Sequence, residues 1–193
     1  MKKNLFFLIS FVTSISIFGQ ESYYSDVNLN LTGVTLKEEL ATKIINTHSQ
    51  FLFYSQVWDA SKVTDLNPEN SAEVLLIYGY ENGSDSDITN DRERGVNNYG
   101  GSSGNWNREH VFSQSLGVPA LSDSGPGSDA HHLRPADAQR NSSRNNRKFT
   151  DGSGNSGIQS NGGWYPGDEW KGDVARMMMY MYVRYGDRCL MTN

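Results

Sequence analysis

The chain has 193 residues, a single cysteine and a formal charge of −5 at neutral pH. One cysteine excludes a scaffold stapled by internal disulfides, and the acidic balance excludes a surface that is basic all over, so any polyanion must be met by a local concentration of charge. The length suits one domain with a genuine hydrophobic core and is short for two.

Lys2-Lys3, the apolar run Leu5 to Val12 and the continuation Ile15-Ser16-Ile17-Phe18-Gly19 read as a secretory signal, with cleavage expected near Gly19 or Gln20. Residues 1–19 are thus expected as a leader and 20–193 as the mature domain. Ser10, Thr13, Ser14 and Ser16 interrupt the apolar stretch, which argues against a stable membrane span. The expected product is secreted or periplasmic and monomeric.

Thr35 with Glu38 reads as a capping box opening a helix, which would turn Leu36, Leu40, Ile44 and Ile45 toward the core. Phe51 to Trp58 is a mixed aromatic segment. Glu73 to Tyr78 reads as a buried strand, and Glu81 to Gly104 as a long loop. Within that loop Asp85 to Asp91 has a calcium-loop flavour but lacks the required glycine and terminal glutamate, so a solvated turn is the better reading. Trp106 to Phe112 recovers strand character. Pro135 is expected to start a helix running through Asn146. A further loop, Thr150 to Gly167, precedes a helix over Asp168 to Tyr185, in which Val174, Met177, Met178, Met181 and Tyr182 have the spacing of core filler. Cys189 reads as a passive thiol near a frayed terminus.

Between His131 and Lys148, Arg134, Arg140, Arg144, Arg147 and Lys148 face only one acid, Asp137. This basic stripe overlaps a second cluster, Asn107-Arg108-Glu109-His110 followed by Asp129-Ala130-His131-His132-Leu133-Arg134-Pro135 and Asn141. Hydrolysing a phosphodiester needs a base for water, a cation for the crowded phosphate and a group to stabilise the departing oxygen. A neutral imidazole, His110, suits the first task. Glu109 is an oxygen ligand suited to Mg²⁺, Asn141 offers an amide oxygen, and Arg144 lies one helical turn beyond Asn141. Adjacent strand residues point to opposite faces, so Glu109 and His110 can share one site only at a strand end or bulge.

These residues resemble the bacterial endonuclease I family of exported nucleases. The resemblance extends from Asn107-Arg108-Glu109-His110-Val111-Phe112-Ser113-Gln114-Ser115, through the Asp129 to Pro135 segment with Asn141, Arg144 and Asn145, to Lys171-Gly172-Asp173-Val174-Ala175-Arg176. It implies an α+β fold with a ββα-metal (His-Me finger) core, surrounded by helices and long Gly/Asn-rich loops. It also implies His110 as general base, with Glu109 and Asn141 holding one Mg²⁺, for which Mn²⁺ or Ca²⁺ could substitute. The implied activity is endonucleolytic hydrolysis of DNA with little sequence specificity, with RNA left open as a second substrate.

Where the family often has Asn before its Leu-x-Pro segment this chain has His132, and no arginine lies between His110 and Asp129. Arg144 is therefore the expected leaving-group stabiliser, with Arg108, Arg134 and Arg147 as phosphate contacts. Arg134 could equally be held in a salt bridge by Asp129 or Asp137. His131 and His132 are expected to support the hairpin beside the metal. Two alternatives remain open at this level: a zinc hydrolase built on His110, His131 and His132, and a noncatalytic extracellular binding module.

Overall fold

The computed structural model describes residues 22–191; the expected leader lies outside the described residues. The fold is α+β, built from helices α1 (Gly33–Thr47), α2 (Val57–Thr64), α3 (Ala138–Arg144) and α4 (Lys171–Tyr185). Among the described residues six short strands form three antiparallel pairs: β1 (Glu73–Leu75) with β2 (Glu93–Gly95), β3 (Trp106–His110) with β4 (Leu133–Asp137), and β5 (Gly157–Ile158) with β6 (Trp164–Tyr165).

The central unit is β3, a long loop, β4 and then α3. Its register pairs Trp106 with Asp137, Arg108 with Pro135 and His110 with Leu133. Pro135, expected to open a helix, lies inside β4 instead. Val111 N–H donates to the His132 carbonyl at 3.0 Å, and the alternation of an antiparallel ladder then makes Arg108–Pro135 a non-hydrogen-bonded pair, where the missing proline N–H costs nothing. The helix begins after Asp137, whose carboxylate caps it by accepting from Gln139 N–H at 2.9 Å and Arg140 N–H at 3.0 Å. Arg94 reaches the same carboxylate at 3.2 Å, so the cap is also locked to β2.

Other boundaries shift for similarly local reasons. The expected strand to Tyr78 stops at Leu75, although Leu76, Ile77 and Tyr78 remain buried. Tyr78 takes φ +73° and turns the chain away. In α1 the chain enters through Gly33 at φ +59°, open to glycine, so Thr35 falls inside the helix and the expected capping box does not form. Ile45 is exposed rather than core-facing. The two long loops contain the short strands β2, β5 and β6. α4 starts at Lys171, because Asp168 is occupied outside it, accepting from Gly154 N–H, Tyr165 and Lys171.

The core lies between the central unit and α4: Ile77, Tyr78, Val111, Ala136, Trp164, Val174 and Met177 pack together. Met181 joins Phe112, Leu121 and Cys189 in a neighbouring cluster. Met177 and Met181 of α4 thus fill the core as their spacing suggested, with Met178 packed against it and Met179 exposed. Cys189 is fully buried rather than frayed, and burial pushes its thiol up to about 11.

Asp129, at the mouth of β4, gathers the C-terminal end of α4. It accepts from Arg184 at 2.8 Å, Tyr180 at 2.9 Å and Tyr185 at 2.7 Å, and its other oxygen accepts from His131 N–H at 3.0 Å. Burial alone would raise the carboxyl pKa; the donors from His131, Tyr185 and Arg184 outweigh it and hold the group well below the usual carboxylate range. A depressed folded-state pKa contributes stability that is present above the unfolded value of about 3.9 and lost as pH falls below it. Asp129→Ala strands a buried guanidinium and should cost about 3–5 kcal/mol in urea unfolding. Asp129→Asn should flatten the acid limb of the stability curve below about pH 4; an unaltered acid limb would show that the network carries no stability.

Candidate active site

β3 ends at His110, and this strand end lets two neighbouring residues serve one cleft. Glu109 and His110 both line a pocket of about 590 Å³ together with Asn107, Arg108, Asn141, Arg144 and Tyr54. A larger groove of about 950 Å³ adjoins it through Ser113 and Arg144 and carries Arg147, Lys148 and Lys171 on its walls. The smaller cleft holds the titratable cluster and is the candidate for chemistry.

His110 Nε2 lies 2.8 Å from the Gly127 carbonyl oxygen. A carbonyl only accepts, so Nε2 carries the proton and Nδ1 presents a lone pair, which has no hydrogen-bond partner among the described residues. Burial lowers the imidazole pKa to about 4, against the raising effect of the Gly127 bond, so the ring is neutral near pH 7. Tyr54 stacks on it at 5.3 Å between ring centroids. Tyr54 is in turn covered by the Arg108 guanidinium, 3.6 Å from its ring and 4.0 Å from that of Trp58. Trp58, Arg108, Tyr54 and His110 form one continuous stack that limits rotation of the imidazole.

Glu109 is 2 % exposed. Its Oε1 accepts from the Tyr78 hydroxyl at 2.9 Å and lies 3.1 Å from the Arg144 guanidinium, whereas Oε2 has no donor among the described residues. Burial raises this carboxyl to about 7 despite Arg144 and Tyr78. A carboxylate oxygen without a protein donor at a cleft could hold a cation. Asn141 donates through Nδ2 to Asn107 Oδ1 at 2.7 Å, which fixes the amide and leaves its oxygen as an acceptor on the same cleft. Two oxygen donors fit Mg²⁺, which keeps much of its coordination for water and phosphate. Tyr78 is a support that the sequence did not reveal, whereas Asn107 belongs to the sequence cluster but carried no assigned role. Tyr78 belonged to an apparently ordinary hydrophobic run, and only its left-handed backbone brings the hydroxyl to Glu109.

The arginines are placed differently from expectation. Arg144 is 1 % exposed. It donates to the carbonyls of His110 at 2.9 Å and Val111 at 2.7 Å, and to Ser113 Oγ at 2.6 Å. These bonds make it a clamp on the strand end. Arg134 does not line the cleft: it pairs with Asp65, just past the end of α2, at 2.9 Å, not with Asp129 or Asp137. Arg147 donates to the Ser143 carbonyl at 2.7 Å and faces the larger groove. Arg140 is drawn inward to Thr89 and Ser156. Arg108 lines the cleft but donates to the Tyr54 carbonyl.

The three imidazoles do not converge as a zinc site would require. His132 Nε2 lies 2.7 Å from the Pro126 carbonyl and its Nδ1 accepts from Phe112 N–H at 3.4 Å. His131 is exposed, stacked on Tyr180 and bonded to Asp129.

The sequence model of the Endonuclease I family matches residues 32–193. The chain belongs to the endonuclease I family. It is 44% identical over 171 residues to an extracellular ribonuclease of Bacillus amyloliquefaciens, an alignment covering 86% of this chain and 54% of that protein. The extracellular ribonuclease of Bacillus subtilis (strain 168) matches at the same identity and coverage. The chain spans about half the length of these curated relatives. No solved structure matches it. Within the family frame, the Arg144 clamp makes a specific prediction. Arg144→Lys, which keeps the charge but loses the fork of donors, should lower unfolding stability by about 3 kcal/mol or more. A large fall in kcat with an unchanged urea midpoint would instead place Arg144 on the substrate.

Proposed function

We propose that this protein is an exported, metal-dependent endonuclease that hydrolyses phosphodiester bonds in RNA and DNA with little sequence specificity, through a ββα-metal core formed by β3, β4 and α3. The observation that carries the reading is the His110–Gly127 hydrogen bond, which leaves a neutral imidazole with a free Nδ1 lone pair beside Glu109 and Asn141. The family match and the two extracellular ribonucleases support nuclease chemistry and export. They also make RNA a substrate to be tested on an equal footing with DNA.

In this reading His110 Nδ1 accepts the proton of the attacking water, while the Gly127 carbonyl and the Tyr54 ring hold the imidazole in the tautomer and orientation the step needs. Glu109 and Asn141 would hold one Mg²⁺, with Tyr78, Arg144 and Asn107 fixing those two donors. When bound, the cation supplies charge neutralisation for the phosphate and the departing oxygen. Arg108, stacked at the cleft wall, adds positive potential where the phosphate enters. Uncommitted cations are few at this cleft, so charge compensation of the substrate rests mainly on the metal.

His110→Ala should reduce the single-turnover rate by about 10²- to 10⁴-fold, with oligonucleotide binding in chelator little changed; full activity in a clean preparation refutes the base assignment. Glu109→Gln and Asn141→Ala should each raise the Mg²⁺ concentration giving half-maximal rate, and excess chelator should silence the wild type. Undiminished cleavage of both RNA and DNA in chelator contradicts metal dependence.

A further inference from the structure

The groove of about 950 Å³ and the candidate active site share Ser113 and Arg144 as lining residues, and the chain passes from one cavity to the other at two further places. Ser115 lines the cleft and Leu116 the groove; Asn146 lines the cleft and Arg147 the groove. Between these crossings Asn146 Nδ2 donates to Ser115 Oγ at 3.2 Å, and both residues are exposed. The two cavities therefore meet at an exposed saddle. The groove opposes the chain in charge. Arg147, Lys148 and Lys171 line it with a single acid, Asp151, in a protein whose formal charge is −5. Arg144 lines it too but is matched by Glu109. Arg147 uses Nη1 on the Ser143 carbonyl at 2.7 Å. Lys171 holds Asp168 at 2.7 Å with its side chain 58 % exposed, and an ion pair so open to solvent is weak enough to be exchanged for another anion. Beside these cations stand the exposed Leu190 and Met191 and the half-buried Phe149 and Met178.

We propose that this groove binds a few nucleotides of an unpaired strand on one side of the scissile phosphate, Arg147 and Lys171 meeting its backbone and the apolar side chains covering its base faces. The inference rests on the nuclease reading above. Positive charge that follows a backbone, interleaved with apolar surface for the bases, is the combination that holds single strands without reading their sequence. A duplex keeps its base faces stacked on each other and leaves such apolar surface without a partner. A volume of about 950 Å³ is near the upper end of clefts that enclose one small ligand, which suits a short stretch of one strand. The groove cations lie outside the cleft that holds His110 and Glu109, so they supply affinity and not chemistry.

The test compares wild type, the double variant Arg147→Ala with Lys171→Ala, Ala175→Glu and Arg176→Ala. Ala175 is an exposed groove residue of α4, where Glu is a good helix former and adds a repelling charge without removing a contact. Arg176 has a 74 % exposed side chain and lines neither cavity, so its loss changes the overall charge alone. Binding of a labelled single strand of about ten nucleotides is measured in chelator over a range of salt. The double variant should flatten the plot of log affinity against log salt by about 1.4, two contacts at about 0.7 each. Ala175→Glu should weaken binding by about 3- to 30-fold, and Arg176→Ala should match wild type. With Mg²⁺, the gain in kcat/KM from a dinucleotide to the longer strand should fall by about 3- to 30-fold in the double variant and in Ala175→Glu, mainly through KM. If wild type cleaves neither length, the nuclease reading falls, and binding in chelator still judges the groove. An unchanged salt slope in the double variant or equal weakening by Arg176→Ala overturns the proposal. So does a duplex bound as tightly as the single strand, or polyglutamate displacing the strand as well as unlabelled oligonucleotide does.

Discussion

The guanidinium of Arg144 is buried where β3 gives way to the loop, and its bonds to the carbonyls of His110 and Val111 and to Ser113 set the geometry of everything around it. A strand that ends abruptly leaves carbonyls without partners, and buried carbonyls without donors are costly. Arg144 supplies those donors from the last turn of α3 and thereby ties helix to hairpin. The same cation lies 3.1 Å from Glu109. A strand end also lets Glu109 and His110 address one cleft. One side chain thus makes the strand end tolerable, and the strand end makes the site.

Around this clamp the loop before β4 carries the second half of the arrangement. Its carbonyls at Pro126 and Gly127 take the Nε2 protons of His132 and His110, so one short segment fixes both imidazoles. Asp129 fastens the end of that segment to α4 through Arg184, Tyr180 and Tyr185. The chain therefore reaches from the C-terminal helix to the proposed base through two successive hydrogen-bonded anchors.

The residue cluster of the site was legible in the sequence because it depends on side-chain chemistry concentrated in two short windows, Asn107 to His110 and Asp129 to Asn141. Its supports were not. Tyr78 looked like one more member of a buried run, and its contact with Glu109 depends on a left-handed turn that hydrophobic pattern does not encode. Pro135 pointed to a helix start by local preference, whereas the ladder's alternation gave it a harmless place in β4 and left the cap to Asp137. The arginines were the hardest to read, because sequence spacing locates a charge without saying which way it turns: Arg134 and Arg140 face inward to protein partners. The helix α4 was the easiest, since the helical spacing of Val174, Met177 and Met181 both indicates the element and states which face is buried.

The proposed chemistry depends on the Gly127 carbonyl holding His110 as a neutral imidazole protonated at Nε2, with Nδ1 free to take a proton. Long-range proton–nitrogen NMR correlation on the nitrogen-labelled protein in chelator, with His110→Ala supplying the assignment, reads the tautomer directly. At pH 7 the His110 signals should show a protonated Nε2 and an unprotonated Nδ1. A proton on Nδ1, with Nε2 bare, would contradict it.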